Sequence, residues 1–140
     1  MMSTETSAPL VAAIDGEPAI IALLEETLAL EGLRVVGLSL TGSANPEATV
    51  TSFLQEHLPR LVLLDIPPPY GCAWPLVQTT RRAVPHATVV VITTNPDEVA
   101  ALASKDDAVQ ILGKPFDLDE LLRVARASTA TARSTERTTS

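Results

Sequence analysis

The segment "LVLLDIPPPYG" at 61–71 sets an unbroken apolar run against one aspartate and then against three consecutive prolines. A run this short and this apolar, with helical patterns on both sides, matches a strand of a parallel sheet covered by helices on both faces. Asp65 then stands at the strand's C-terminal tip, the edge where open parallel sheets collect ligands. The prolines end regular structure directly behind it, because proline has no N–H to donate and a nearly fixed φ. Whether Asp65 has company there depends on what other strands bring to the same edge.

The pattern around this segment alternates. Apolar runs "LVAAID" (10–15), "LRVVGLSL" (33–40), "ATVVVIT" (87–93) and "AVQIL" (108–112) join 61–65 as strand candidates, the second weakened by Gly37. Between them, Ile20, Ile21, Leu24, Thr27 and Leu28 fall on one helical stripe, with Pro18 at its start and Gly32 as its stop. Asn45-Pro46-Glu47 reads as a cap, a first-turn proline and a dipole-compatible acid, opening a helix that buries Val50, Phe53, Leu54 and Leu58. A third helix is expected from about Trp74 to Val84, ended by Pro85. Asn95-Pro96-Asp97-Glu98 repeats the cap arrangement for a short fourth helix. Asp117 and Glu120 form a capping-box pattern for a fifth, which carries Leu118, Leu121, Leu122 and Val124. Five strands alternating with five helices predict an α/β fold, a parallel sheet wound on both faces by right-handed crossovers.

A chain of 140 residues suits one domain of this kind. The polar ends, 1–8 and 128–140, read as disordered, which leaves 9–127 as the domain. A net charge of −7 and an aromatic content of 3% oppose direct nucleic-acid binding, for want of both a basic field and stacking rings. A single cysteine, Cys72, excludes an internal disulfide, and no run is long enough to span a bilayer. The expectation is a cytoplasmic protein without membrane contact. His57 and His86 have no Cys or His company and make poor metal or phosphorelay candidates.

Four polar residues mark the predicted C-terminal ends of four strands: Asp15, Asp65, Thr93 and Lys114. Far apart in sequence, they converge on one rim if the strands are parallel. Carboxylates, a hydroxyl and an ammonium at a switch-point crevice suit a small anionic group together with a cation. Alone, each has a plainer role: Asp65 as a turn former, Thr93 as a β-branched strand residue, Lys114 as a solvated lysine. Glu17 alone is a first-turn acid complementing a helix dipole. Tyr70 and Trp74 either form an exposed contact patch or cover the sheet edge.

The ordered pieces "AIDGEPAI" (13–20), "LVLLDIPPP" (61–69), "VVVITT" (89–94) and "GKPFDLDELL" (113–122) resemble the receiver domain of bacterial response regulators, from about Leu10 to Ala127. The resemblance implies the flavodoxin-like doubly wound sheet of five parallel strands and five helices, in the order 2-1-3-4-5. It implies a signalling module rather than an enzyme, whose Asp65 accepts a phosphoryl group from a sensor histidine kinase or phosphotransfer protein; the short tail after the last helix leaves no room for a DNA-binding domain, so a stand-alone receiver is expected. It also implies that Lys114 and Thr93 contact that group. Magnesium would be held by Asp15, Asp65, the backbone carbonyl of Pro67 and, if the loop rearranges, Glu17. Lys114-Pro115 resembles the family's cis peptide. Output would run through contact with a downstream protein target, and a homodimer is compatible with it.

The chain departs from that family in three places. Gly16 stands where a second acid usually follows the first, which predicts weak magnesium binding. Pro67, Pro68 and Pro69 stiffen a loop that usually holds one proline, and Ile111 replaces an aromatic residue three positions before Lys114. These departures support an alternative, a degenerate receiver acting as a phosphorylation-independent interaction module. A flavodoxin-type electron carrier, the other class on this fold, needs a Ser/Thr- or Gly-rich phosphate loop and flanking rings, which "DGEPAI" and the sparse aromatics do not supply.

Overall fold

Apolar runs become strands and stripes of helical spacing become helices throughout the computed structural model, which describes residues 10–103, 109–114 and 117–127. The order is β1 (Leu10–Asp15), α1 (Pro18–Ala29), β2 (Arg34–Ser39), α2 (Pro46–His57), β3 (Leu61–Asp65), α3 (Tyr70–Ala83), β4 (Thr88–Thr93), α4 (Pro96–Leu102) and β5 (Val109–Gly113). A last helix, α5, occupies 118–127. The two ends, 1–8 and 128–140, and the peptide between Lys114 and Pro115 lie outside the described residues.

All strand pairs are parallel and the sheet order is β2-β1-β3-β4-β5, as expected. The chain leaves β1 toward one edge to make β2, then returns past β1 to build the rest. The direction of winding therefore reverses between β1 and β3. Ile14 is in register with Leu64, so Asp15 and Asp65 are the next residues on neighbouring strands, at the reversal itself.

Strand side chains alternate between the two faces and so divide the core. Ala12, Ile14, Val62, Leu64, Val89 and Val91 pack with residues of α2, α3 and α4, including Leu54, Trp74 and Val99. Val11, Ala13, Leu61, Leu63, Val90 and Ile92 pack with α1 and α5 through Leu24, Leu28, Leu121 and Ala125. Burying one such side chain fully is worth about 1.5–3 kcal/mol, so the central strands have no solvent face to spare.

The predicted caps form. Asn45 accepts the N–H of Ala48 at 3.2 Å, and Asn95 accepts that of Glu98 at 3.2 Å while its amide reaches Glu98 Oε1 at 3.0 Å. Asp117 accepts the N–H of Glu120 at 2.8 Å. Two boundaries differ from expectation. Helix α3 begins at Tyr70 rather than near Trp74, with Pro69 as its N-cap and Pro75 inside it. A proline in the second turn deprives only the carbonyl four residues back, here that of exposed Gly71, which water can serve. Leu58, expected on the buried stripe of α2, is instead the C-cap, with φ 49° and 68% exposure. Pro59 follows it, and the residue before a proline is pushed out of the helical region. Tyr70 and Trp74 are 4% and 7% exposed, so they cover the sheet rather than form a surface patch.

Gly37, a weak strand residue by sequence, has a packing reason. A Cβ built there would lie 2.2 Å from Ile21 Cγ2 and 2.8 Å from Glu25 Oε2, so α1 sits directly against the backbone of β2. Gly37→Ala is expected to destabilise the fold by about 1–3 kcal/mol through overpacking. Urea denaturation checks this, and the loss should shrink when Ile21→Ala is added, because that change removes the clashing methyl.

Candidate functional site

Parity along the strands decides which side chains meet at the rim. Leu61 and Leu63 face α1 and α5, so Asp65 continues that side; Val11 and Ala13 do the same for Asp15, and Leu112 for Lys114. On β4, Val90 and Ile92 face this side while Val89 and Val91 face the other. Thr94, not Thr93, therefore extends the face that carries the two aspartates and the lysine.

A cavity of about 690 Å³ opens at this rim between α1, α5 and the sheet. Asp15, Thr27, Asp65, Thr94 and Lys114 contribute its polar part, and Leu24, Ile92 and Leu121 are among the apolar side chains of its walls. Three of the four residues predicted to converge are thus brought together, from β1, β3 and the end of β5. Thr93 is not among the lining residues. It is 1% exposed, and its hydroxyl accepts the N–H of Asn95 at 3.0 Å. Glu17 and Pro67 are exposed and line no part of the cavity.

Lys114 Nζ forms an ion pair with Asp65 Oδ2, with the side chains 35% and 16% exposed respectively. Asp15 is 7% exposed and its Oδ1 accepts the N–H of Glu17 at 2.9 Å, which ties the carboxylate to the first turn of α1. Burial raises the Asp65 carboxyl above the ordinary 3.8; the hydrogen bond from Lys114 draws it back, and the charge of Asp15 pushes it up again. The set holds two carboxylates against one ammonium.

Magnesium characteristically uses one or two carboxylates and completes its shell with water and phosphate oxygens. Asp15 and Asp65 fit that minimum. Among the described residues no group of three or more His, Cys, Asp or Glu could hold a metal ion, in keeping with Gly16 at the position next to Asp15.

Sequence reasoning missed Thr94 as a lining residue, and with it a contact behind it. Tyr70 Oη lies 3.1 Å from Thr94 Oγ1, joining the start of α3 to the loop after β4. The signal was present in the alternation of "VVVITT", where Ile92 and Thr94 share a face.

The raised carboxyl has a consequence for stability. In the window between the ordinary aspartate value and its own raised one, folded Asp65 holds a proton that the unfolded chain has released. Stability therefore falls as pH rises through that window. Asp65→Asn lacks this contribution, so its stability relative to the parent is expected to improve with rising pH above the ordinary aspartate range. Urea midpoints of both proteins across pH check the sign; a constant or shrinking difference would contradict it.

No protein-family model matches the sequence, and no curated protein matches it. Solved structures do. The signal receiver domain of a repressor protein from Vibrio parahaemolyticus superposes with a TM-score of 0.74 at 14% identity, covering 94% of this chain and 97% of that one. A response regulator receiver protein from Sinorhizobium medicae gives 0.68 at 22% identity, over 89% and 97% of the two chains. A response regulator from Thermotoga maritima gives 0.69 at 24%, over 88% and 98%. With five parallel strands in the order 2-1-3-4-5 and helices on both faces, the chain has the flavodoxin-like fold of response-regulator receiver domains.

Proposed function

We propose that this chain is a phosphoacceptor receiver: Asp65 takes a phosphoryl group from a phosphohistidine of a sensor kinase or phosphotransfer protein, and the chain signals through protein contact. The observation that carries this role is the Asp65–Lys114 ion pair beside Asp15, at the winding reversal and at the mouth of a cavity.

The residues suit in-line transfer. An oxygen of Asp65 attacks phosphorus and forms an O–P bond as the donor's N–P bond breaks. The electron pair stays on the imidazole nitrogen, which takes a proton from water. Lys114, already on the carboxylate, needs only a small shift to meet the incoming phosphoryl oxygens, and holding the reactants in line supplies much of the acceleration. Asp15 and Asp65 would hold magnesium, which when bound would supply positive charge for those oxygens; the exposure of Glu17 and the bare Gly16 would make this a weak site. The raised carboxyl keeps part of Asp65 protonated, and therefore not nucleophilic, at acidic pH.

Leu23 and Leu118, 58% and 42% exposed, flank the cavity on α1 and α5. They offer a phosphodonor protein or a downstream target an apolar strip beside the acceptor, and self-association to a homodimer could use the same strip. The net charge of −7 disfavours nucleic acid as partner. As a receiver it would work in the cytoplasm and relay a signal rather than turn over a substrate; no helix among the described residues is long and apolar enough to cross a membrane.

The second role, a phosphorylation-independent interaction module, is favoured by one observation. The ion pair already satisfies Asp65, and only one acid stands beside it. Incubating the full chain with magnesium and a small acyl phosphate separates the two roles. Intact mass is expected to show one added phosphoryl group on the parent and none on Asp65→Asn. No addition at saturating magnesium, with an unchanged circular dichroism spectrum, would reject the acceptor role and leave the interaction module.

A further inference from the structure

We propose that the cavity between α1, α5 and the sheet is a binding site for a small amphipathic cation, an amine whose ammonium sits on Asp15 and Asp65 and whose apolar body lies between the two helices. Such binding does not depend on the acceptor role of Asp65. It gives the chain a chemical input of its own, because a seated ammonium covers the carboxylate that a phosphoryl donor has to reach.

The cavity, about 690 Å³, is of the size that holds a small molecule, about 300–1,000 Å³, and is far roomier than a phosphoryl group with a metal ion needs. Its charged groups, Asp15, Asp65 and Lys114, stand at the rim. Away from the rim the lining is apolar but for Thr27, among the described residues. From Ile20 to Thr27 the α1 wall runs for about 10 Å, at about 1.5 Å per residue, which gives the apolar part length as well as width. Protein interiors leave few voids larger than a water molecule, so side chains around such a hollow lack contacts that an apolar body restores. Leu23 and Leu118, 58% and 42% exposed beside it, also leave water when the space is filled.

Charge selects the head group. Asp15 uses Oδ1 to accept the N–H of Glu17, and Asp65 uses Oδ2 for Lys114. Each carboxylate has a second oxygen, and an ammonium, with three N–H donors, can serve both at once. Burial first, and then the charge and hydrogen bonding of Asp15, act to raise the Asp65 carboxyl against the pull of Lys114, the condition of two neighbouring acids short of a cation. A second ammonium brings the rim to two positive charges against two negative ones. An amphiphile with a carboxylate or phosphate head meets the opposite situation: it faces both aspartates and has to draw Lys114 away from Asp65.

Calorimetry of the full chain with octylamine, octanol and octanoate, each below its aggregation concentration, tests this. Octylamine is expected to bind about tenfold or more tightly than octanol, as for hydrogen bonds to a charged group, and octanoate to bind weakest. Shortening the amine should weaken it about fourfold for each methylene removed from the cavity. Asp15→Asn should bring octylamine down toward the affinity of octanol, whose own binding reports that the cavity is still formed. Leu118→Gln should weaken amine and alcohol alike. Magnetisation transfer from the octyl chain to the methyls of Ile92 and Leu121 places the ligand. Octanoate binding as tightly as octylamine would overturn the choice of a cation. An amine affinity that ignores both chain length and Asp15→Asn would mean attraction to the net charge of −7 rather than to this cavity, and no binding by the folded parent would likewise reject the site. Acceptance of a phosphoryl group by Asp65 is untouched by either result.

Discussion

Burial of the central strands on both faces is the constraint from which the rest of this structure follows. β1, β3 and β4 are roofed by α1 and α5 on one side and by α2, α3 and α4 on the other, and their side chains are almost wholly apolar until the last position. An unpaired charge inside such layers would cost far more than one apolar contact returns. Polar chemistry is thus excluded from the sheet and confined to the rim, where Asp15, Asp65 and Lys114 terminate their strands within reach of water. The reversal of winding at β1 and β3 then decides which rim positions adjoin, and it selects the two aspartates.

Placing two carboxylates side by side sets up an electrostatic problem that one lysine only partly solves. Lys114 pairs with Asp65, while Asp15 turns an oxygen to the backbone of Glu17. Burial and the neighbouring negative charge still leave the Asp65 carboxyl above its ordinary range. A rim in this condition gains from any cation it can share and from any anionic group that lets Lys114 serve more than one oxygen. Because the pair between Asp65 and Lys114 is already complete, the rim holds together as it stands.

Much of this was legible before any coordinates. The five strands, the asparagine caps before Pro46 and Pro96, the Asp117 cap and the convergence of Asp15, Asp65 and Lys114 follow from local pattern plus the rule that βαβ units run parallel. What escaped depends on three-dimensional neighbours. Gly37 looks like a flaw in a strand until Ile21 is found against it. Leu58 fits a helical stripe, but Pro59 ends the helix one residue earlier and turns the side chain outward. Thr93 and Thr94 are adjacent hydroxyls that composition cannot separate. Only counting the alternation from Ile92, and then seeing where Asn95 and Tyr70 reach, assigns them to different faces.

The three prolines behind Asp65 tie these observations together. Proline disfavours helical geometry in the residue before it, so no helix can start ahead of the last proline of the run. Pro69 is the N-cap and Tyr70 the first helical residue of α3. With the start of α3 fixed by covalent geometry, the phenol is carried a set distance from the strand tip and arrives, buried, against Thr94. A loop of freely rotating residues would have had to lose entropy to hold that placement; here much of the restriction is already present in the unfolded chain. The stretch from Asp65 to Tyr70 accordingly forms one unit, a carboxylate at the rim, a stiff spacer, and a buried phenol that meets the hydroxyl of Thr94.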